Sequence, residues 1–252
     1  MPDVVGLLAK RGAIVEVIHA EERLLDLSRL QVEHDLYLLK EKTEIALSLA
    51  GALHALGASI LNPYPVSMIL RDKIATFRVL QAAGLPTPET YAVTHPRALI
   101  PLLEAGPLVV KPYRGSRGRG VRVVHTAAGL DAVVPGEEPI FAQRYHPPSG
   151  RDRKMYAIGD DVFCVKRVFP ATTHEEKIGE PSPVSPELAE ITRRCGRALG
   201  IDLIGVDIIE SGGTPYVVDA SSFPGFKGVP DAPLRLARYI YAAAEVGVAR
   251  HL

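Results

Sequence analysis

The sequence predicts an α/β (α+β) protein, with a small α/β unit over residues 1–66 followed by a larger α+β region over 67–252. Three observations predict it. The first third alternates short apolar, strand-like runs with a Leu- and Ala-rich helical run. Asn62-Pro63-Tyr64-Pro65 then interrupts every regular pattern and reads as a linker. Beyond it, Gly159-Asp160-Asp161 and Ser211-Gly212-Gly213-Thr214-Pro215 each sit between two β-prone runs, which is a hairpin signal.

In chain order, Ile14 to Ile18 and Asp35 to Leu39 read as strands, and Thr43 to Leu56 as a helix stopped by Gly57. Ala58 to Leu61 is a further strand. A helix runs from about Asp72 to Ala83 and stops at Gly84. A short strand near Tyr91 and a helix from Pro96 to Leu103 lead to Leu108 to Lys111, a Gly/Arg loop, and Val121 to Val124. Ile140 to Tyr145 is a strand; Lys154 to Ile158 and Val162 to Val168 form a hairpin. Pro170 to Pro183 is polar and patternless and reads as a surface loop. Ser185-Pro186-Glu187 opens a helix with an N-cap, a proline at the first helical position and an acid in the first turn, and Gly200 closes it. Leu203 to Glu210, Tyr216 to Asp219 and a helix from Pro233 to Val246 finish the chain.

Composition excludes several classes. In 252 residues, 29 Lys+Arg balance 29 Asp+Glu, so the chain lacks the positive excess that would neutralise many phosphates along a nucleic acid. No apolar run approaches the roughly 18 residues needed to span a bilayer. Asp3 stands where a secretory leader would carry basic residues, so a cytoplasmic protein is expected. Cys164 and Cys195 lie among apolar neighbours and read as core residues. The eight histidines form no His-x-x-x-His pair, so zinc has no support.

Two segments carry chemistry. The first is Lys111-Pro112-Tyr113-Arg114-Gly115-Ser116-Arg117-Gly118-Arg119-Gly120, after an apolar strand. Its glycines let backbone N–H groups turn toward an anion while its four cations supply charge, which suits phosphate; the alternative is an ordinary hairpin loop with solvated arginines. The second is Asp207 with Asp219. A hairpin centred on Gly213 pairs Glu210 with Tyr216, Ile209 with Val217 and Asp207 with Asp219, bringing two carboxylates about 5 Å apart at Cβ. Like charges so placed need a cation between them, and oxygen-only ligands point to Mg²⁺; the alternative is a slipped register with one aspartate exposed.

Taken in order, these pieces resemble an ATP-grasp enzyme. The carriers are Arg71-Asp72-Lys73, Gly84-Leu85-Pro86-Thr87-Pro88, Val109-Val110-Lys111-Pro112 with its glycine loop, Gln143-Arg144-Tyr145, Lys154 to Asp160, Gly205-Val206-Asp207 and Asp219-Ala220-Ser221-Ser222-Phe223-Pro224-Gly225, from about Ser67 onward. The closest likenesses are RimK-like amino-acid ligases and inositol polyphosphate kinases of the same fold.

The resemblance implies two α+β subdomains clasping ATP, a glycine-loop subdomain over about 85–145 and a metal-binding one over 146–252, preceded by the small α/β N-terminal domain. It implies that Lys73 and Lys111 contact ATP phosphates and that Arg167 faces the γ-phosphate, these three being the catalytic candidates. The loop bearing Gly115, Ser116, Gly118 and Gly120 folds over the phosphates. Gln143, Arg144, Tyr145 and His146 lie along the adenine, and Lys154 joins the nucleotide-binding set. Asp207, Asp219 and Ser221 hold Mg²⁺ or Mn²⁺. Two positions depart from the family pattern: Arg144 stands where a glutamate is usual, and Ser221 where an asparagine is usual, the latter implying a weaker Mg²⁺ site or one filled out by water.

The activity implied first is an ATP-dependent carboxylate–amine ligase working through an acylphosphate on an amino-acid, peptide or other small-molecule acceptor. The runner-up is a small-molecule kinase acting on a polyol or inositol-phosphate-like substrate, because Lys154 and Phe223-Pro224-Gly225-Phe226 look closer to the inositol kinases. The third is a nucleotide-binding protein without catalysis. The Ala-rich C-terminal helix with Tyr239 and Tyr241 is a candidate homodimer contact; neither nucleic acid nor membrane is an expected partner.

Overall fold

The computed structural model describes residues 1–41, 43–114, 120–134, 136–168 and 178–251, with side chains through residue 246. Helix α1 (Pro2–Lys10) is followed by an irregular segment with two short 3₁₀ turns, then β1 (Tyr37–Leu38), α2 (Glu44–Ala55) and β2 (Ile60–Leu61). Next come α3 (Tyr64–Arg71), α4 (Lys73–Ala82), β3 (Thr90–Val93), a 3₁₀ helix (Pro96–Ala105), β4 (Leu108–Pro112), β5 (Arg122–Val124), α5 (Ala127–Leu130) and β6 (Ile140–Arg144). The remainder is β7 (Asp152–Ile158), β8 (Asp161–Arg167), β9 (Glu180–Ser182), α6 (Pro186–Leu199), β10 (Leu203–Ser211), β11 (Thr214–Ser222) and α7 (Ala232–His251). Among the described residues, no helix is long and apolar enough to cross a membrane.

Three sheets result. β1 and β2 pair in parallel; β3-β6-β4-β5 and β11-β10-β7-β8-β9 are antiparallel sheets of four and five strands. The four-stranded sheet rests its apolar face, including Leu108, Val110 and Ala142, on Leu99 and Leu130. The five-stranded sheet buries one whole face, through Met155, Ala157, Cys164, Ile204, Val206 and Ile208, under Leu188, Ile191, Cys195 and Leu199 of α6. Burying each such aliphatic side chain contributes about 1.5–3 kcal/mol, so α6 is held mainly by this face. Its ends follow the sequence: the Ser185 hydroxyl accepts from the Leu188 N–H at 3.2 Å, and Gly200 takes the left-handed conformation at φ +70°. Both cysteines are free and buried, as core residues.

The opposite face of the five-stranded sheet is divided. At one end Tyr156, Ile158 and Leu203 pack on Leu236, Ala237 and Ile240 of α7 and on Phe223 and Phe226. At the other end the same alternation presents Asp152, Lys154, Asp207 and Asp219, which meet charged groups of α4 and β4 rather than an apolar helix face.

Several sequence expectations need correction. Ile14 to Ile18 forms no regular element and pairs with no strand among the described residues, and Ile14 is wholly exposed; β propensity alone does not make a strand without a partner. Asn62-Pro63-Tyr64-Pro65 interrupts regular structure only at Asn62 and Pro63: Tyr64 opens α3 and Pro65 falls in its first turn, where a missing N–H costs nothing. Asn62 itself is buried, its amide donating to the Leu203 carbonyl at 2.7 Å and to the Ser222 hydroxyl at 3.0 Å. The segment 96–105 is 3₁₀ throughout, with Pro101 inside it. Within the stretch read as a patternless loop, Glu180–Ser182 forms β9 on the edge of the sheet, where Pro181 is tolerated; 169–177 lie outside the described residues.

The hairpin register differs in an informative way. Asp207 does pair with Asp219, as expected, but Glu210 opposes Pro215, Ile209 opposes Tyr216 and Ile208 opposes Val217. The chain turns on two residues, Gly212 and Gly213, and a β-bulge at Val218 inserts the extra residue that brings the aspartates back into opposition.

Candidate active site

Lysines from three elements converge on this polar end of the five-stranded sheet. Lys73 is the first residue of α4, whose N-cap Asp72 accepts from the Ala75 N–H at 2.9 Å; its ammonium lies 3.7 Å from Asp219 Oδ1. Lys154, on β7, sits in register with Asp207 and reaches its carboxylate at 2.7 Å. Lys111, on β4 of the other sheet, donates to Gln143 Oε1 on β6 at 2.6 Å and to the Val218 carbonyl on β11 at 2.8 Å. One ammonium therefore ties the two antiparallel sheets together. Each aspartate of the facing pair has a lysine of its own, so like-charge repulsion is offset by ammonium groups.

The electrostatics are those of a partly desolvated cluster. Burial lowers the Lys111 pKa to about 8, with neighbouring Lys73 acting the same way, while Asp219, Asp207 and Asp152 partly offset them. Asp152 is pushed up to about 6, first by burial and then by Asp207, while Lys111 pulls it back. Burial also pushes the Tyr156 phenol up to about 12; it accepts from Arg167 Nη2 at 2.7 Å, and Arg167 Nε is buried without a partner among the described residues.

The expected adenine segment is spread over different environments. Gln143 is 1 % exposed, and its Nε2 has no partner among the described residues. Arg144 turns away, donating through Nη1 to the Leu102 carbonyl at 3.1 Å and the Gly106 carbonyl at 2.6 Å. The Tyr145 N–H donates to Pro107 O at 3.0 Å. His146 stacks on Tyr216 at 4.0 Å between ring centroids, and burial lowers its pKa. Gly115, Ser116 and Gly118 lie outside the described residues. Gly120 closes the loop at φ +74°, and a Cβ there would lie 2.7 Å from Pro112 Cγ, so both its conformation and its contact require glycine.

Asp207 and Asp219 stand opposite one another with Ser221 two residues on, its hydroxyl donating to Gly205 O at 3.4 Å. This is an oxygen-only donor set suited to a hard cation. Among the described residues no group of three or more His, Cys, Asp or Glu side chains gathers to hold a metal. A Mg²⁺ ion here would draw further ligands from water or from a bound phosphate.

The chain matches the family of RimK-like ATP-grasp domains over residues 70–242. It belongs to that family. Among curated relatives it is 28% identical over 192 residues to a probable alpha-L-glutamate ligase of Parasynechococcus marenigrum, covering 71% of this chain and 41% of that protein. A probable alpha-L-glutamate ligase of Xanthomonas euvesicatoria is 27% identical, covering 74% of this chain and 68% of the relative. The chain thus spans about two fifths of the first relative and two thirds of the second. Among solved structures, a RimK-domain ATP-grasp protein from Sphaerobacter thermophilus superposes with a TM-score of 0.79 at 21% identity, covering 96% of this chain and 94% of that one.

Three further contributions to the site of this ATP-grasp domain are hidden, or nearly so, at the level of residues. Asp152 faces the cluster as a third carboxylate; its only signal was its i, i+2 spacing from Lys154 on a strand. The Val218 carbonyl is turned to Lys111 at the bulge. Tyr113, at the root of the glycine loop, donates to Asp72 at 2.5 Å, fastening the loop to the helix that carries Lys73.

Proposed function

We propose that this RimK-like ATP-grasp domain is an ATP-dependent carboxylate–amine ligase working through an acylphosphate. The observation that carries this reading is the Lys111 bridge between the two sheets, beside two aspartates that are each paired with a lysine. Phosphoryl transfer requires positioning and charge neutralisation, and this cluster offers both.

In the proposed reaction a substrate carboxylate oxygen attacks the γ-phosphorus of ATP, and the bond from that phosphorus to the β–γ bridging oxygen breaks. ADP leaves. The acceptor amine then attacks the acyl carbon and expels phosphate, so that an amide forms and the amine loses a proton. Lys73 and Lys111 neutralise charge on the phosphates, and Arg167 faces the γ-phosphate. The glycine loop from Gly115 to Gly120 covers them, Lys154 lies in the nucleotide cleft, and the backbone of Gln143 to His146 runs along the adenine. Because Arg144 is committed to two carbonyls, any contact it makes with the nucleotide is through its backbone. Asp207 and Asp219, with Ser221, are the proposed holders of Mg²⁺ (or Mn²⁺), which would supply charge neutralisation between phosphate oxygens. The small N-terminal unit borders the acceptor cleft, since sites commonly form where domains meet.

The relatives' names make L-glutamate the first acceptor to test, alone and with short peptides ending in glutamate. Incubation with Mg-ATP and hydroxylamine, following free phosphate and product mass together, tests the reading. A hydroxamate with stoichiometric phosphate supports the ligase. A stable phosphorylated alcohol without free phosphate would overturn it in favour of the kinase, and tight Mg-ATP binding without turnover on any acceptor would overturn it in favour of a binding protein.

A further inference from the structure

The two parallel strands of the N-terminal unit end side by side, and a residue two past the end of β1 and another one past the end of β2 reach the same turn of the ATP-grasp domain. Past β1, Lys40 donates to the Phe223 carbonyl and to the Pro224 carbonyl, both at 2.7 Å, with its ammonium 4.7 Å from the Phe223 ring centroid. Past β2, the Asn62 amide donates to the Ser222 hydroxyl at 3.0 Å, and Ser67 on α3 lies 3.2 Å from the same oxygen. Carboxyl ends of parallel strands are where open α/β sheets commonly bind ligands. In this chain those ends grip a peptide turn.

That turn directly continues the strand bearing Asp219 and Ser221. It is held in an unusual backbone conformation, because Phe223 and Phe226 are buried non-glycine residues with φ of +41° and +49°. Left-handed phenylalanines persist only where surrounding contacts over-determine them. Pro224 folds back onto the site's own face of the sheet: a Cβ on Gly205 would stand 2.9 Å from Pro224 Cγ and 3.0 Å from Ser221 Oγ. Gly205 lies two residues from Asp207 on the same strand and pairs with Ser221. The turn therefore abuts the metal-strand end of the site, on the side where the N-terminal unit meets it.

We propose that Lys40 is a positioning residue for the acceptor: by gathering two consecutive carbonyls it fixes the backbone of 222–226 as one wall of the acceptor cleft, at the Ser221 end of the aspartate pair. The inference deepens the ligase reading and rests on it for the word acceptor. The ammonium does this by geometry as well as charge, since one Nζ with three donors can satisfy two neighbouring carbonyls at once. With Pro224 O held toward Lys40, the trans peptide directs the Gly225 N–H to the opposite side, so Lys40 determines where that donor points.

Lys40→Met, Lys40→Gln and Lys40→Arg, compared with wild type, test this in three readouts. In substrate-free protein, hydrogen exchange of the amides over 222–229 should quicken at least tenfold in Lys40→Met, less in Lys40→Gln, with β7 and β8 unchanged. Mg-ATP affinity by calorimetry should stay within threefold. With L-glutamate as acceptor probe, KM for glutamate should rise at least tenfold while KM for ATP stays within threefold, and Lys40→Arg should bring the glutamate KM back to within threefold of wild type. An unchanged glutamate KM in Lys40→Met, a parallel rise in both KM values, or unchanged exchange over 222–229 would each overturn the proposal. If wild type turns over no acceptor, the ligase reading fails by itself, and the exchange experiment still decides whether Lys40 sets the turn. Should Lys40→Met not fold, Lys40→Gln and Lys40→Arg carry the same comparison.

Discussion

The Lys111 ammonium donates to the Val218 carbonyl, 2.8 Å away on the opposite sheet, and Val218 is the residue bulged out of the β10–β11 ladder. β11 is the edge strand of its sheet, with β10 on one side only, and at the bulge the Val218 carbonyl accepts from the lysine. The same extra residue puts Asp219 opposite Asp207. A single irregularity thus sets both the carboxylate pair and the tie between the sheets.

Nucleotide binding should weaken in alkali. The Lys111 pKa is lowered to about 8, so its ammonium is lost as pH rises through that value. We expect the Mg-ATP dissociation constant to be flat from pH 6.5 to 7.5 and to climb by up to about tenfold per pH unit above 8, with Lys111→Met weak and nearly pH-independent. For stability the sign is opposite: between pH 8 and 10.5 the unfolded chain binds the extra proton, so this group's contribution makes the fold more stable as pH rises through that window. Calorimetric titration and thermal melts across pH 6.5–10 check both.

Asp152→Asn should stabilise the nucleotide-free protein at neutral pH. With its pKa raised to about 6 from an ordinary 3.8, the folded state holds the proton more tightly, and the ionised carboxylate costs stability above pH 6. Allowing for solvent screening at a partly exposed site, a gain of about 1 kcal/mol, or roughly 2–4 °C in Tm, is expected at pH 7 and should vanish near pH 4. An unchanged or lower Tm at pH 7 would contradict it.

Arg144→Ala should damage the fold more than the nucleotide site. It abandons the Leu102 and Gly106 carbonyls at the end of the 3₁₀ helix. The cost should be about 1–3 kcal/mol. The melting temperature should fall while Mg-ATP affinity, measured well below the transition, stays within threefold.

Ser221→Asn should lower the Mg²⁺ concentration needed for half-maximal turnover. The serine hydroxyl is short and engaged with Gly205 O, whereas an asparagine carbonyl reaches further. Activity against Mg²⁺ at saturating ATP measures it; an unchanged half-saturation counts against Ser221 as a ligand position.

Gly196→Ala tests the core beneath the site. The new Cβ would stand 2.5 Å from the Ile201 carbonyl oxygen, a backbone atom that cannot swing aside. A loss of about 1–3 kcal/mol is expected from overpacking, read as a lower urea midpoint.

Much of this was legible in the residues, and the exceptions have physical causes. The α6 caps, the glycine stops and the pairing of Asp207 with Asp219 follow from local chemistry and hairpin symmetry. The bulge does not, because Tyr216-Val217-Val218-Asp219 contains no glycine to mark it, and the expected pairing came out right only where the bulge had restored it. Ile14 to Ile18 failed because a strand is defined by its partner, which local sequence does not supply. The lysines were individually visible, but their pairing with the aspartates joins four elements, α4, β7, β10 and β11, that are apart in sequence, and the meeting of Lys40 with Phe223 spans 183 residues. Arg144 was visible only as a departure from the family pattern; its side-chain hydrogen bonds to the end of a 3₁₀ helix join it to residues 42 and 38 positions away.

The bulge at Val218 also leaves the tip of the hairpin as the one part of it free to change length. Between bulge and tip, Ile208 and Val217 are fully buried and Tyr216 stacks on His146, so the pairing of this outer ladder has to be kept. Residues added at the exposed Gly212 and Gly213 lengthen the loop without moving that ladder. The tip is accordingly where a reporter peptide could be grafted, or a loop lengthened by selection, without retuning the chemistry beneath it.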